Sequence, residues 1–300
     1  MKLRPACERN VNVICGVFEL GGKALQYAHL MIPRLRSRKE PRVGLALGGG
    51  AARGIAHIGV LKALADEEIP IHAVAGTSAG SLVGALYCAG YTWKDIYDTV
   101  RETRWRDLIK PVFPRMGLVK ADRLETRLRE MVGEAPIEEL AIPFAAVAVD
   151  VRTGKQVVID RGPPGPAVRA SCSVPGIFEP VWLGDKMLVD GGMANSVPAS
   201  VVRDMGADIV LAIDLNGDRI EQQEPGNVFG VLFHSFSILF AANAKDAQEH
   251  ADVLVKPDLA GFSYSNLKVH AQLFERGETA MRDAMAQLKA RLRGLRTARA

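Results

Sequence analysis

Residues 72–80, HAVAGTSAG, join an apolar strand pattern to a glycine-flanked serine, and the small-residue run SLVGALYCAG follows with the look of a helix. A strand can turn this sharply into a helix only where side chains do not obstruct the crossing backbones. The G-x-S-x-G pattern, Gly76 to Gly80, therefore points to a fold whose strands run directly into helices, with Ser78 exposed on a strained turn as a nucleophile. Five such residues alone also occur in plain turns. The strand before them and the helix after them separate the two readings.

The rest of the chain repeats this alternation. RVGLALGGG reads as a buried strand running into a glycine loop, and Ile55, Ile58, Leu61 and Leu64 then recur at helical spacing. Residues 92–132 look helical and charged, with a proline-broken middle. PFAAVAVDV and KQVVID, joined by RTG, read as a strand pair with a tight turn; KMLVDGG and ADIVLAIDL are two further strands, separated by a helix starting near Pro198. The expected fold is α/β, with a mostly parallel sheet covered by helices on both faces. With 300 residues, 48% of them hydrophobic, the chain suits one large domain. We place that domain at 43–265, between a basic helical extension at 1–42 and a basic helix at 266–300 carrying Leu267, Phe274, Met281, Leu288 and Leu292 on its apolar side.

Several classes are excluded. Cys7, Cys15, Cys88 and Cys172 lie too far apart for a disulfide framework or a zinc site, which implies a reducing, cytoplasmic setting and no metal. The start, MKLRPACER before VNVICGVF, imitates a secretory signal, but Glu8, Glu19 and the short apolar run argue against one. The most apolar stretch, 225–244, carries no Asp, Glu, Lys or Arg, yet His234 and small polar groups favour a buried helix over one touching lipid. Nine Lys and Arg face three Asp and Glu in residues 1–42, and eight face three in 266–300, so basic ends flank an acidic body. Such ends suit peripheral contact with an anionic membrane surface, or solvated helix faces. No aromatic interleaving supports nucleic acid. Nothing in the sequence fixes an oligomeric state.

GGGAARG supplies Gly48, Gly49, Gly50, Arg53 and Gly54 at a strand end, where converging N–H groups and a helix N-terminus can hold an anion. A dinucleotide site would need an acidic residue at the end of the second strand, and Gly76 and Thr77 stand there; a P-loop would need a following G-K-[ST], which is absent. Beside a serine elbow, an oxyanion hole is the better assignment. The proton acceptor is harder to find. His234, His250 and His270 lie in helical stretches rather than on glycine-marked loops; His57 belongs to the first helix and His72 to the start of a strand. Three aspartates end strands, Asp150, Asp190 and Asp214, and only Asp190 is followed by glycines, Gly191 and Gly192. A dry pocket beside an apolar substrate would raise its pKa enough for it to act as a base.

GLALGGGAARG, GTSAG, ASCSVPGIFEP and DGG, in this order, resemble the patatin-like phospholipase family, in particular its small bacterial members, over residues 43–215. The resemblance implies a three-layer α/β/α fold and lipid acyl hydrolysis without a cofactor. It implies a Ser78–Asp190 dyad without histidine, and an oxyanion hole from Gly48, Gly49 and Gly50 with Arg53. Plant storage members carry an acidic residue where this chain has Leu47, and one residue fewer before the Arg-Gly pair. The expected substrate is a phospholipid or another acyl-ester lipid. Two rivals remain: an α/β-hydrolase esterase with a Ser-His-Asp triad, and a low-activity regulatory protein of the same family bound at the inner membrane surface.

Overall fold

The computed structural model describes residues 40–111, 116–217, 226 and 228–299; the expected extension at 1–42, apart from its last three residues, lies outside them. In chain order the elements are β1 (Val43–Leu47), α1 (Ile55–Asp66), β2 (Ile71–Thr77), α2 (Ala79–Cys88), α3 (Trp93–Glu102), α4 (Trp105–Leu108), β3 (Lys110–Pro111), β4 (Val119–Lys120) and α5 (Asp122–Val132). Then follow β5 (Phe144–Asp150), β6 (Lys155–Ile159), α6 (Pro164–Ser171), β7 (Val181–Leu183), β8 (Lys186–Asp190), α7 (Ala199–Asp204) and β9 (Ile209–Ile213). The last are α8 (Val228–Ala242), α9 (Lys245–His250), β10 (Val253–Val255) and α10 (His270–Arg299).

Eight strands form one sheet in the order β10-β9-β1-β2-β5-β8-β7, with β6 on the other side of β5. The five from β10 to β5 are parallel; β6, β7 and β8 join antiparallel. Alternation of side-chain size along these strands sets the layers. Leu45, Leu47, Val74, Phe144, Leu211 and Ile213 point to one face and pack with α1, α2 and α10. Ala46, Ala75, Ala145 and Ala212 point to the other, where α7 and α9 lie close. Small residues on that face let α7 approach so tightly that a Cβ on Gly44 would strike Val202.

The stretch expected to be a buried helix is buried on one side only. Within α8, Phe240 and Ser237 are buried, whereas Val228, Val231 and Ile238 are 63%, 48% and 44% exposed. These three lie on one outward stripe at helical spacing. Among the described residues no helix is long and apolar enough to cross a membrane.

Candidate active site

Ser78 follows β2 with φ 52° and ψ −123°, a backbone region that a residue with a Cβ occupies only under constraint. Glycines make the turn possible: a Cβ on Gly76 would meet the Gly80 carbonyl, and one on Gly80 the Leu47 carbonyl. A hydroxyl holds it. Ser78 N–H donates to Ser171 Oγ at 2.8 Å, and that hydroxyl donates to the Val147 carbonyl at 2.6 Å.

Asp190 arrives at the same point from the opposite direction. Along β5, Val147 pairs with Thr77 and the next residue, Ala148, pairs with Asp190, while β6 fills the far side from Ala146 to Asp150. β8 therefore takes over the side of β5 that β2 vacates, and the two strands meet end to end at Ser78 and Asp190. Asp190 stands at a strand end as expected, but that strand is antiparallel to β5 and outside the parallel set. The antiparallel strand enters from beyond the sheet edge and terminates against the elbow.

The other two strand-end aspartates serve their own turns. Asp150 accepts from Arg152 N–H at 3.1 Å and the Thr153 hydroxyl at 3.2 Å, and Asp214 from Asn216 N–H at 2.9 Å. Asp190 is fully buried. Its Oδ1 accepts from Gly192 N–H at 2.9 Å, while Oδ2 has no hydrogen-bond partner among the described residues. Burial pushes its pKa up to about 7, against the weaker opposite pull of Gly192 N–H and the neighbouring Ser78 hydroxyl. That hydroxyl is near enough to favour the charge without completing a bond to Oδ2. Cys172 also borders the pair; burial, and after it the Asp190 charge, push its thiol up to about 12, so it stays neutral.

The glycine loop divides its amides. Gly48 N–H donates to the Ile213 carbonyl at 3.0 Å and Gly49 N–H to the Ser196 carbonyl at 2.9 Å. The next two, Gly50 and Ala51, have no acceptor among the described residues. A Cβ on Gly49 would lie 3.3 Å from Ser78 Cβ, and Ala51, at φ 48°, borders the same cavity as Ser78. Arg53 is buried but faces the segment before α10: Nε donates to the Phe262 carbonyl at 2.9 Å, Nη1 donates to Tyr264 Oη at 2.7 Å, and the guanidinium lies 3.8 Å above the Tyr264 ring. Of the expected oxyanion group, Gly48 and Gly49 thus have committed N–H groups and Arg53 braces the loop.

Four of the histidines bond elsewhere. His57, fully buried, bonds through Nε2 to the Gly48 carbonyl at 2.8 Å, and burial lowers its pKa to about 4, so it is a neutral donor. His250 Nδ1 bonds to the Asp246 carbonyl and His270 Nδ1 to the Tyr97 hydroxyl. His72 sits at the opposite end of β2 from Ser78, where its Nδ1 accepts from Val43 N–H.

An apolar cavity of about 160 Å³ begins at Ser78 and follows one stripe of α2, Ala79, Leu82, Val83 and Leu86, toward Ile96 and Leu124. Val174 and Phe178, within the ASCSVPGIFEP block, border it, and Gly176 takes φ 77° in its turn. Phe240 of α8 closes on Gly192 and Gly49 from the other side. Asn216, whose Nδ2 donates to the Gly49 carbonyl, and Tyr264, which contacts Arg53 and Ala52, carry no sequence signal of their place against the glycine loop, since both reach it from far off in the chain.

The family described as patatin-like phospholipase matches residues 45–203. An uncharacterized NTE family protein of Mycobacterium tuberculosis is 37% identical over 186 residues, which cover 61% of this chain and 52% of that protein. Lysophospholipase NTE1 of Debaryomyces hansenii is 30% identical over 217 residues, covering 70% of this chain and 14% of that one. The chain therefore spans about half the length of the first and less of the second. VipD from Legionella pneumophila shares the fold, with a TM-score of 0.50 at 14% identity over 84% of this chain and 67% of its own.

Proposed function

The chain belongs to the patatin-like phospholipase family, and from that premise we propose that it is a serine hydrolase of lipid acyl esters working through a Ser78–Asp190 dyad. The supporting observation is the end-to-end meeting of β2 and β8, which sets the nucleophile's hydroxyl against a buried carboxyl at the mouth of an apolar cavity. A carboxyl raised to about 7 is ionised in part at neutral pH and strong enough as a base to take the serine proton.

In this reading the acyl chain lies along α2 and Ser78 Oγ attacks the ester carbon. Asp190 takes the proton and returns it to the leaving alcohol, and the same carboxylate then activates water to cleave the acyl-enzyme. The tetrahedral oxygen is held by the Gly50 and Ala51 amides, the two of the loop without an acceptor among the described residues. No metal or organic cofactor enters the scheme. The substrate is a phospholipid or related acyl ester, met at a membrane surface from the cytoplasm.

The experiment is incubation with mixed lipids, mass spectrometry of released fatty acids, and labelling with a fluorophosphonate probe. The parent chain is expected to release fatty acid and to label at Ser78. Ser78→Ala and Asp190→Asn are expected to lose about 10³-fold or more in kcat, while His234→Ala, His250→Ala and His270→Ala keep it. A fall of that size in a histidine variant would establish a triad, and an unlabelled parent would leave a binding protein.

A further inference from the structure

The Gly49–Gly50 peptide sits between two residues without Cβ atoms, so nothing in its own chemistry prevents it from rotating. In a trans peptide the C=O and N–H point in opposite directions, so whatever holds the Gly49 carbonyl also aims the Gly50 N–H. The group holding it is Asn216, whose Nδ2 donates to the Gly49 carbonyl at 3.1 Å. Asn216 is 5% exposed and lies three residues past β9, beyond the matched family region.

The direction of the Asn216 amide is itself dictated. Arg53 can only donate, and its Nη1 occupies the Tyr264 oxygen at 2.7 Å. The single Tyr264 hydroxyl hydrogen is then left for Asn216 Oδ1, 3.0 Å away. With its oxygen held by Tyr264, the amide must present its NH₂ to Gly49. The Tyr264 carbonyl also accepts from Ala52 N–H at 2.9 Å, tying the same segment to the loop a second time.

We propose that Arg53, Tyr264 and Asn216 form a one-way hydrogen-bond relay that aims the Gly50 N–H at the oxyanion, with Asn216 the positioning residue. The relay rests on reading Gly50 and Ala51 as the oxyanion donors. It gives Arg53 a task in catalysis without contact with substrate: it sets the polarity of the chain of donors. If the peptide turned over, the Gly49 carbonyl would face the developing negative charge in place of the N–H, and the transition state would be lost while the acyl chain still bound.

The test measures kcat and KM on a short soluble ester, together with the rate of fluorophosphonate labelling. Asn216→Ala is expected to lower kcat and labelling together by about 10- to 100-fold, below the roughly 10²- to 10³-fold loss on removing an oxyanion donor outright, with KM unchanged. Asn216→Asp, which cannot donate, is expected to match it. Tyr264→Phe keeps the ring against Arg53 and is expected to lose about 3- to 10-fold in kcat; the double variant Tyr264→Phe with Asn216→Ala falls no further than Asn216→Ala, because the two act in series. The midpoint of the kcat–pH profile stays where Asp190 puts it in every variant.

Asn216→Ala and Tyr264→Phe both keeping kcat within about twofold of the parent, or losing affinity through KM alone, would overturn the relay. Should Asn216→Ala fail to fold, as read by its melting curve, Tyr264→Phe decides on the same criterion. Ser78→Ala separates the two levels of the argument: turnover surviving in it defeats the dyad, whereas a dead Ser78→Ala beside fully active Asn216 and Tyr264 variants defeats only the relay.

Discussion

As the proposed base, Asp190 sets function against stability. In the unfolded chain it ionises near 3.8, and in the fold burial holds its proton up to about 7. Between those values the folded state binds the extra proton, so the stabilisation associated with Asp190 is complete at low pH and disappears as pH rises through about 7. His57, lowered from 6.5 to about 4, slopes the other way, since its fold excludes a proton that the unfolded chain accepts. Comparing Asp190→Asn with the parent isolates the first effect. The urea midpoint of the variant is expected to gain on the parent steadily from about pH 4 to about pH 7 and then level off; a gap that does not change with pH would mean an ordinary carboxylate. Glycines beside Asp190 set it apart from Asp150 and Asp214 in the sequence. The hydrogen bonds that keep those two within their own turns were not visible there.

Among the elements, α8 is the one whose sequence was least informative. Apolar residues all around a helix leave no periodic pattern to say which side faces inward. The inward side is defined by Phe240 against Gly49 and Gly192, and by Asn243 Nδ2 donating to the Gly192 and Met193 carbonyls at 3.2 and 2.7 Å. The outward stripe of Val228, Val231 and Ile238 is uncharged and lies on the helix whose Phe240 packs beside Gly49 and Gly192, which makes it the face to test for lipid contact. Val231→Glu with Ile238→Glu is expected to weaken sedimentation with phospholipid vesicles about tenfold or more, from the loss of apolar burial. Hydrolysis of a short soluble ester should be unchanged. Equal sedimentation of variant and parent would remove α8 from any membrane contact. By contrast α1, α2 and the β5–β6 hairpin were legible, since each carries its own period and its own turn residues.

Across the whole molecule, α10 belongs to the same core as the sheet: Leu273, Met281, Leu288 and Leu292 are buried with α1. The two helices touch backbone to backbone. A Cβ on Gly59 would meet the Phe274 carbonyl, and one on Gly277 the Ala56 carbonyl. Gly277→Ala, which by intrinsic helix propensity alone would stabilise by about 1 kcal/mol, is therefore expected to destabilise by about 1–3 kcal/mol in urea unfolding, because the helices must move apart. A stabilised variant would refute the close crossing. The basic side chains of α10 turn partly toward the acidic body, Arg282 to Asp66, Lys289 to Glu67, Arg299 to Asp208. Exposed pairs of this kind contribute about 0–1 kcal/mol each, so the glycine contact and the apolar seam position the helix. The serine elbow, the large and small faces of the strands and the glycine clearances could all be read from residues a few places apart, because each is a local requirement of backbone geometry. The meeting of Ser78 with Asp190, the choice of which loop amides stay unbonded, and the raised pKa could not. They depend on carbonyls at Ser196 and Ile213, on an antiparallel strand entering from beyond the sheet edge, and on the exclusion of water, and these exist only once distant segments have packed together.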